Sequence, residues 1–214
     1  MPIQTEAADE LLTTTRAVRK RLDLTRPVPR QVILDCIQIS MQAPTAGNSQ
    51  TWRWLVVTDP AKRAALADLY RTAAGGYFPI ASEQARAAGN TQTAQVYDAA
   101  QYLSDHLHEV PALVIPCLLG RPNESVGVQA AFFASIYPAV WSFNLALRAR
   151  GLGTTLTTIH LMREKEAAAI LGIPDDVTQV AMLPVAYTIG ETFKPTERPA
   201  AETITSWDEW GWPA

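Results

Sequence analysis

The chain has 214 residues, 48% of them hydrophobic and 18% charged, with 21 acidic against 18 basic side chains and a net charge of −3. That length suggests one domain with a sizeable core, and the apolar, charge-poor composition points to surface buried in an oligomer. No basic stripe with interleaved aromatics is present, which argues against a nucleic-acid partner.

Cys36 and Cys117 each lie in an apolar run with no Cys or His close by, the setting of buried free thiols rather than of a disulfide or a metal site. The segment Met1 to Glu10 carries Glu6, Asp9 and Glu10 and no apolar core, so it does not read as a signal peptide, and the expected compartment is the cytoplasm.

Asp9 to Leu22 reads as a helix running into a basic turn, where Arg16, Arg19, Lys20 and Arg21 fall within six positions. Two readings stand: a solvated basic face, or an anion site built on the forked donors of arginine. Pro29 to Gln42 reads as a second helix with one apolar face through Val32, Ile33, Cys36, Ile37 and Met41. It stops at Ala43, because the residue before proline disfavours helix. The following stretch, Pro44 to Trp52, has the Pro, Gly, Asn and hydroxyl content of a ligand-binding loop.

Trp54 to Thr58 reads as a strand, and Asp59–Pro60 as the cap and first turn of a helix ended by Gly75–Gly76. Tyr77 to His108 is polar and Ala- and Gln-rich, with a break at Gly89–Asn90 and a helix from Thr91 to His108. His106 and His108, two apart, fall on different helix faces and make a poor metal pair. Pro111 to Leu119 reads as a central strand in which Pro116 demands an edge position or an irregularity.

Ser125 to Arg150 reads as one long helix. Its core, Ala130 to Leu147, has 18 residues without a charge, at the lower edge of membrane-spanning length. Ser135, Pro138, Ser142 and Asn144 and the many alanines favour a buried helix at a subunit interface over a membrane span. Gly151 to Ile159 then reads as a glycine turn into a strand, Met162 to Leu171 as a short helix, and Thr178 to Thr188 as a strand. The Gly151–Gly153 turn could let backbone amides approach a ligand, though helix–Gly–strand junctions are common. The tail, Glu191 to Ala214, carries Trp207, Trp210 and Trp212 and is expected to pack on its own chain or on a partner.

No nucleophile elbow, zinc motif, Ser/His/Asp set or dinucleotide fingerprint is present. His160 stands alone beside a strand end and reads as structural. An enzyme of this kind borrows its reactivity, and a flavin fits, since the protein then need only bind, orient and tune the ring.

Four motifs in order resemble the nitroreductase family. Thr15–Arg16–Ala17–Val18–Arg19 is similar to its R-R-S-x-R, and Pro44 to Trp52 to its P-S-x-x-N-x-Q-P-W. Gly151–Leu152–Gly153–Thr154 is similar to its G-L-G-[ST], and Gly190 through Arg198–Pro199 to its terminal G-x…R-[KR]-P. The resemblance spans nearly the whole chain. It implies an α+β, three-layer sandwich with a central mixed sheet, in one domain spanning 1–214. The long interface helix would occupy about 125–150, a variable insertion 77–108, and an exchanged C-terminal arm 190–214.

It further implies an FMN-dependent NAD(P)H oxidoreductase, with FMN at the interface of a homodimer. Arg16, Ala17, Arg19 and Arg198 would come from one subunit and Pro44, Thr45 and Asn48 from the other, with Gln50 also binding the cofactor and Leu152, Gly153 and Thr154 near the ring N5. Hydride would pass from NAD(P)H through N5 to a planar acceptor such as a nitroaromatic, quinone or enone, with no side-chain catalyst, no metal and no membrane. The chain departs from the family at Thr15 (Arg), Ala17 (Ser) and Thr51 (Pro), and Arg16 or Arg21 stands to compensate for the first two. Two other readings stay open: a flavoenzyme specialised for one natural product or halogenated phenol, its specificity sitting in the 77–108 segment, and, motivated by the absent Arg and Ser, a non-catalytic flavin or small-molecule binding protein.

Overall fold

Strand β2 (Ala112–Leu119) shows how the layers are built. Its residues alternate between two cores: Leu113, Ile115 and Cys117 face one, and Ala112, Val114 and Leu118 face the other. A strand covered on both faces needs apolar residues at every position, and its A-L-V-I-P-C-L-L sequence supplies them. The computed structural model describes residues 4–212; Met1 to Ile3, which begin the acidic N-terminal segment, and 213–214, which end the arm, lie outside them.

Strand β1 (Trp52–Val57) pairs antiparallel along one side of β2. On the other side β2 pairs in succession with β5 (Leu183–Tyr187) and β4 (Val177–Gln179), and β5 carries the two-residue β3 (Leu152–Gly153). Every named strand pair is antiparallel; parallel pairing enters through the isolated bridges Ala17–Thr154 and Gly120–Val177. One face is covered by α3 (Pro60–Ala74), α5 (Thr91–His106) and α8 (Glu164–Leu171), the other by α2 (Arg30–Ser40) and α7 (Tyr137–Arg148). The result is the expected α+β three-layer sandwich.

Pro116 sits in the central strand, not at an edge. Leu119 N–H donates to Thr51 O at 3.0 Å, so alternation turns the missing donor of Pro116 away from β1. It faces the junction between β5 and β4, where its carbonyl accepts from Val180 N–H at 3.0 Å. The ladder breaks there, and the strand expected over 178–188 is split. Between its halves Met182 leaves β2 and exchanges both backbone hydrogen bonds with Thr157, at 3.0 and 2.8 Å.

Two helices differ from expectation. Helix α1 (Thr5–Thr14) begins four residues before Asp9 and ends ahead of the basic turn, where Thr15 is already extended; Thr13, Thr14 and Thr15 turn their hydroxyls onto the carbonyls of Asp9, Glu10 and Leu11. The single helix expected over 125–150 is two helices, α6 (Val126–Ala134) and α7, separated at Ser135–Ile136. Pro138 is the cause, since its ring would meet the carbonyl four residues back, at Ala134. Helix α3 starts and stops as read: Asp59 Oδ1 accepts from Lys62 N–H at 2.8 Å, and Gly75 takes the left-handed conformation that ends it.

Helix α4 (Tyr77–Ala87) packs antiparallel to α5 across the Gly89–Asn90 break. A short 3₁₀ turn after α5 brings His106 and His108 both toward Glu109, at 2.6 and 3.8 Å. Helix α6 is apolar yet has no buried residue, and Trp207 and Trp210 are 84% and 88% exposed. Within the described chain, Phe132 and Phe133 of α6 pack partly against the core, while Val126, Val128 and the two tryptophans are uncovered. Helix α7, by contrast, buries Val140, Phe143, Ala146 and Leu147.

Candidate active site

Past α1 the chain extends along the β3 edge of the sheet. Val18 N–H donates to Thr154 O at 2.9 Å, and Asp23 N–H to Tyr187 O at 2.8 Å. Gly153 permits this approach. A Cβ there would stand 2.9 Å from Val18 Cβ and 2.8 Å from Thr188 Cγ2, closer than side chains pack. The basic turn is thereby laid beside the Gly151–Thr154 turn, although the two are far apart in the sequence.

These two segments border a cavity of about 770 Å³, within the range of cofactor and small-molecule sites. Arg16, Ala17, Arg19, Leu152, Gly153, Thr154 and Arg198, seven of the residues expected at the site, line it. Arg21 does not. Its guanidinium donates to Ile189 O at 2.8 Å and Thr192 O at 2.9 Å and lies over the Phe193 ring, so it fastens the tail rather than compensating in the cavity.

Pro44, Thr45, Asn48 and Gln50 are not brought to this cavity within the chain. Their loop rests against α6, with Ala46 N–H donating to Ser135 Oγ at 3.0 Å. Asn48 and Gln50 adopt φ of 52° and 49°, left-handed values that cost a non-glycine residue energy, and the Gln50 amide donates to Asn48 Oδ1 at 2.8 Å. The loop is held by these bonds and is largely exposed.

Sequence reasoning missed a third wall and a fourth. Tyr137, Val140, Trp141, Asn144 and Arg148 of α7 line the cavity, as do Gln92, Thr93 and Val96 near the start of α5. The signal was present: Asn144 and Arg148, four apart, interrupt an otherwise apolar face.

Among the described residues, the cavity wall carries four arginines, Arg16, Arg19, Arg148 and Arg198, and no carboxylate. None of the four forms an ion pair among the described residues. Burial lowers the pKa of the half-buried Arg19, while the neighbouring Tyr70 acts to raise it. Burial pushes the Tyr70 phenol up, against its hydrogen bond to Thr157, at 2.8 Å, and the charge of Arg19. A partly desolvated cation without a counter-ion is costly, and an anionic ligand relieves that cost. Thr154 Oγ1 and Asn144 Oδ1 are also buried on this wall without partners among the described residues. An anion with a planar apolar body suits the set. His160 lies elsewhere, in the core. Both its ring nitrogens lack partners, and burial lowers its pKa to about 4.

The profile of the nitroreductase family matches residues 12–187. The chain is 28% identical over 220 residues to the NADH dehydrogenase of Thermus thermophilus, covering 94% of this chain and 99% of that protein. It is 31% identical over 174 residues to the 5,6-dimethylbenzimidazole synthase of Rhodobacter capsulatus, covering 79% and 80%. A crystal structure of oxidised iodotyrosine deiodinase bound to FMN and 3-iodo-L-tyrosine superposes with a TM-score of 0.70 at 18% identity, over 94% of this chain and 98% of the other. The extent of the family match and the shared fold together establish that the chain belongs to the nitroreductase family.

Proposed function

We propose that the protein is an FMN-dependent oxidoreductase that uses NAD(P)H to reduce a planar acceptor such as a nitroaromatic, quinone or enone. The observation that carries this reading is the cavity with four arginines, no carboxylate and an unpaired, half-buried Arg19. FMN is an anion with a planar apolar ring, and when bound it supplies reversible two-electron, hydride-transferring chemistry that no side chain offers. Arg16 and Arg198 would hold the phosphate. Arg19 would keep a positive charge where the ring gains electron density, and its partial desolvation makes that charge more effective than in water. Gly153 would admit the ring edge against backbone, with Ala17, Leu152 and Thr154 beside it. Val140 and Trp141 offer an apolar wall that excludes water.

The same reading makes the working unit a cytoplasmic homodimer. Pro44, Thr45, Asn48 and Gln50 of the partner subunit would complete the site, and the uncovered α6 face and tail tryptophans support a partner there. The relatives' names, a NADH dehydrogenase among them, support a pyridine nucleotide as donor.

A second reading is favoured by one observation: Gln92, Thr93 and Val96 from the 77–108 segment line the cavity. A wall so placed could narrow the acceptor to one natural product or halogenated phenol, in keeping with relatives as different as a dimethylbenzimidazole synthase and an iodotyrosine deiodinase. Steady-state turnover of the FMN-loaded protein with NADH and NADPH against a panel of nitroaromatics, quinones and halophenols tests both. Activity spread over many planar acceptors supports the broad reductase, one acceptor far above the rest supports the specialised enzyme, and no turnover with any acceptor leaves a flavin-binding protein without catalysis.

A further inference from the structure

The face that α7 turns to the cavity is graded along its length. Tyr137, Trp141, Asn144 and Arg148 stand at i, i+4, i+7 and i+11, which is one helical stripe, and all four line the cavity. The stripe is about 16 Å long at 1.5 Å per residue. It runs from two aromatic rings through an amide to a guanidinium.

Arg148 ends that stripe with donors to spare. Its Nε is buried without a partner, and one hydrogen bond, long at 3.3 Å, ties an η nitrogen to Glu191 O. Its guanidinium lies 4.8 Å from the centroid of the Phe193 ring. Arg21 approaches the same ring at 4.1 Å, but Arg21 is committed to two carbonyls. Of the two cations at Phe193, Arg148 is the one on the cavity wall. On the adjoining wall Thr15 contributes no charge, and its hydroxyl donates to Leu11 O at 2.6 Å.

Resting on the FMN reading above, we propose that Arg148 is a ligand of the FMN phosphate, so that α7 sets the direction in which the cofactor lies: ring toward Tyr137 and Trp141, phosphate toward the last turn. The tail takes part, since Glu191 and Phe193 hold the guanidinium in place. A purely structural role is the alternative, with the cation serving the helix C-terminus and the tail. The two differ in what they do to a flavin that lacks phosphate.

The test is fluorescence titration of the full-length chain, stripped of flavin, with FMN and separately with riboflavin, for the wild type and for R148Q, R148K and R150Q. Arg150 lies two residues on, outside the cavity, and donates to Ala146 O. The proposal expects R148Q to weaken FMN about tenfold to a hundredfold, the range of a charge-assisted hydrogen bond, and riboflavin less than about twofold. R148K, which keeps the charge and loses the fork, falls between, and carries the test if R148Q does not fold. R150Q matches the wild type. Equal losses for FMN and riboflavin, or an unchanged FMN affinity, overturn the Arg148 assignment while leaving the FMN reading intact. A wild-type chain that binds neither flavin overturns both.

Discussion

Replacing Gly153 by alanine tests how the site is assembled. The added Cβ would lie 2.8 Å from Thr188 Cγ2, 2.9 Å from Val18 Cβ and 3.0 Å from Val18 Cγ1. Ordinary carbon contacts fall at about 3.5–4.0 Å, so these neighbours must retreat by roughly 0.5–1 Å. Val18 Cβ cannot swing aside, because it is fixed to a backbone whose N–H is bonded to Thr154 O at 2.9 Å. The 15–19 segment must move as a body. Overpacking costs about 1–3 kcal/mol and a weakened backbone hydrogen bond about 0.5–1.5, for a loss of roughly 2–4 kcal/mol. In a domain of this size that lowers Tm by about 5–15 °C. Gly153 is not among the positive-φ glycines, so the effect is steric. Arg16 and Arg19 move with Val18, and FMN affinity should fall about tenfold. The readouts are calorimetric melting and flavin titration. The V18A/G153A double variant should lose less stability than the two single changes summed, since V18A removes one of the clashing carbons. A G153A protein that melts within about 1 °C of the wild type and binds FMN unchanged would refute the close approach as the element that builds the site.

Three further outcomes follow from the electrostatics. R19M should leave the flavin-free protein as stable as the wild type or more so, by removing an unpaired, half-buried cation, and should weaken FMN binding about tenfold or more; urea denaturation and titration together check the opposite signs. His160 has a folded pKa of about 4 against about 6.5 unfolded, so the unfolded chain binds the extra proton as pH falls through that window. Urea denaturation should show about 2 kcal/mol lost between about pH 7 and pH 5 from this group, present in the wild type and absent in H160L. Burial pushes the thiols of Cys36 and Cys117 up, the latter to about 12. Iodoacetamide at neutral pH should therefore label neither in the native protein and both in urea, as read by mass spectrometry.

The parts of the fold that were legible are those where local chemistry decides. Asp59–Pro60 and Gly75 bound α3 because a carboxylate cap, a fixed φ and a left-handed glycine each act within one turn. The break between α6 and α7 was equally local, at Pro138, but the continuous apolar pattern masked it. The division into β4 and β5 was not legible, because it depends on Pro116 meeting the junction from another strand.

At the site, motif order located the segments at 15–19 and 151–154, and their contact follows from Gly153. Asn144 and Arg148 were overlooked, since polar residues within an apolar helix reveal their purpose only once it is known which face meets a cavity. Loop 44–50 has the composition of a binding loop, and the chain by itself leaves it away from the arginines.

Anaerobic visible spectroscopy of the purified protein, supplied with FMN and then with NADH or NADPH, bears most directly on the proposed chemistry. The expected result is a protein-bound flavin spectrum that bleaches on addition of either nucleotide and returns when a quinone or nitroaromatic is admitted. A protein that takes up no FMN, or whose bound flavin neither nucleotide reduces, would contradict it.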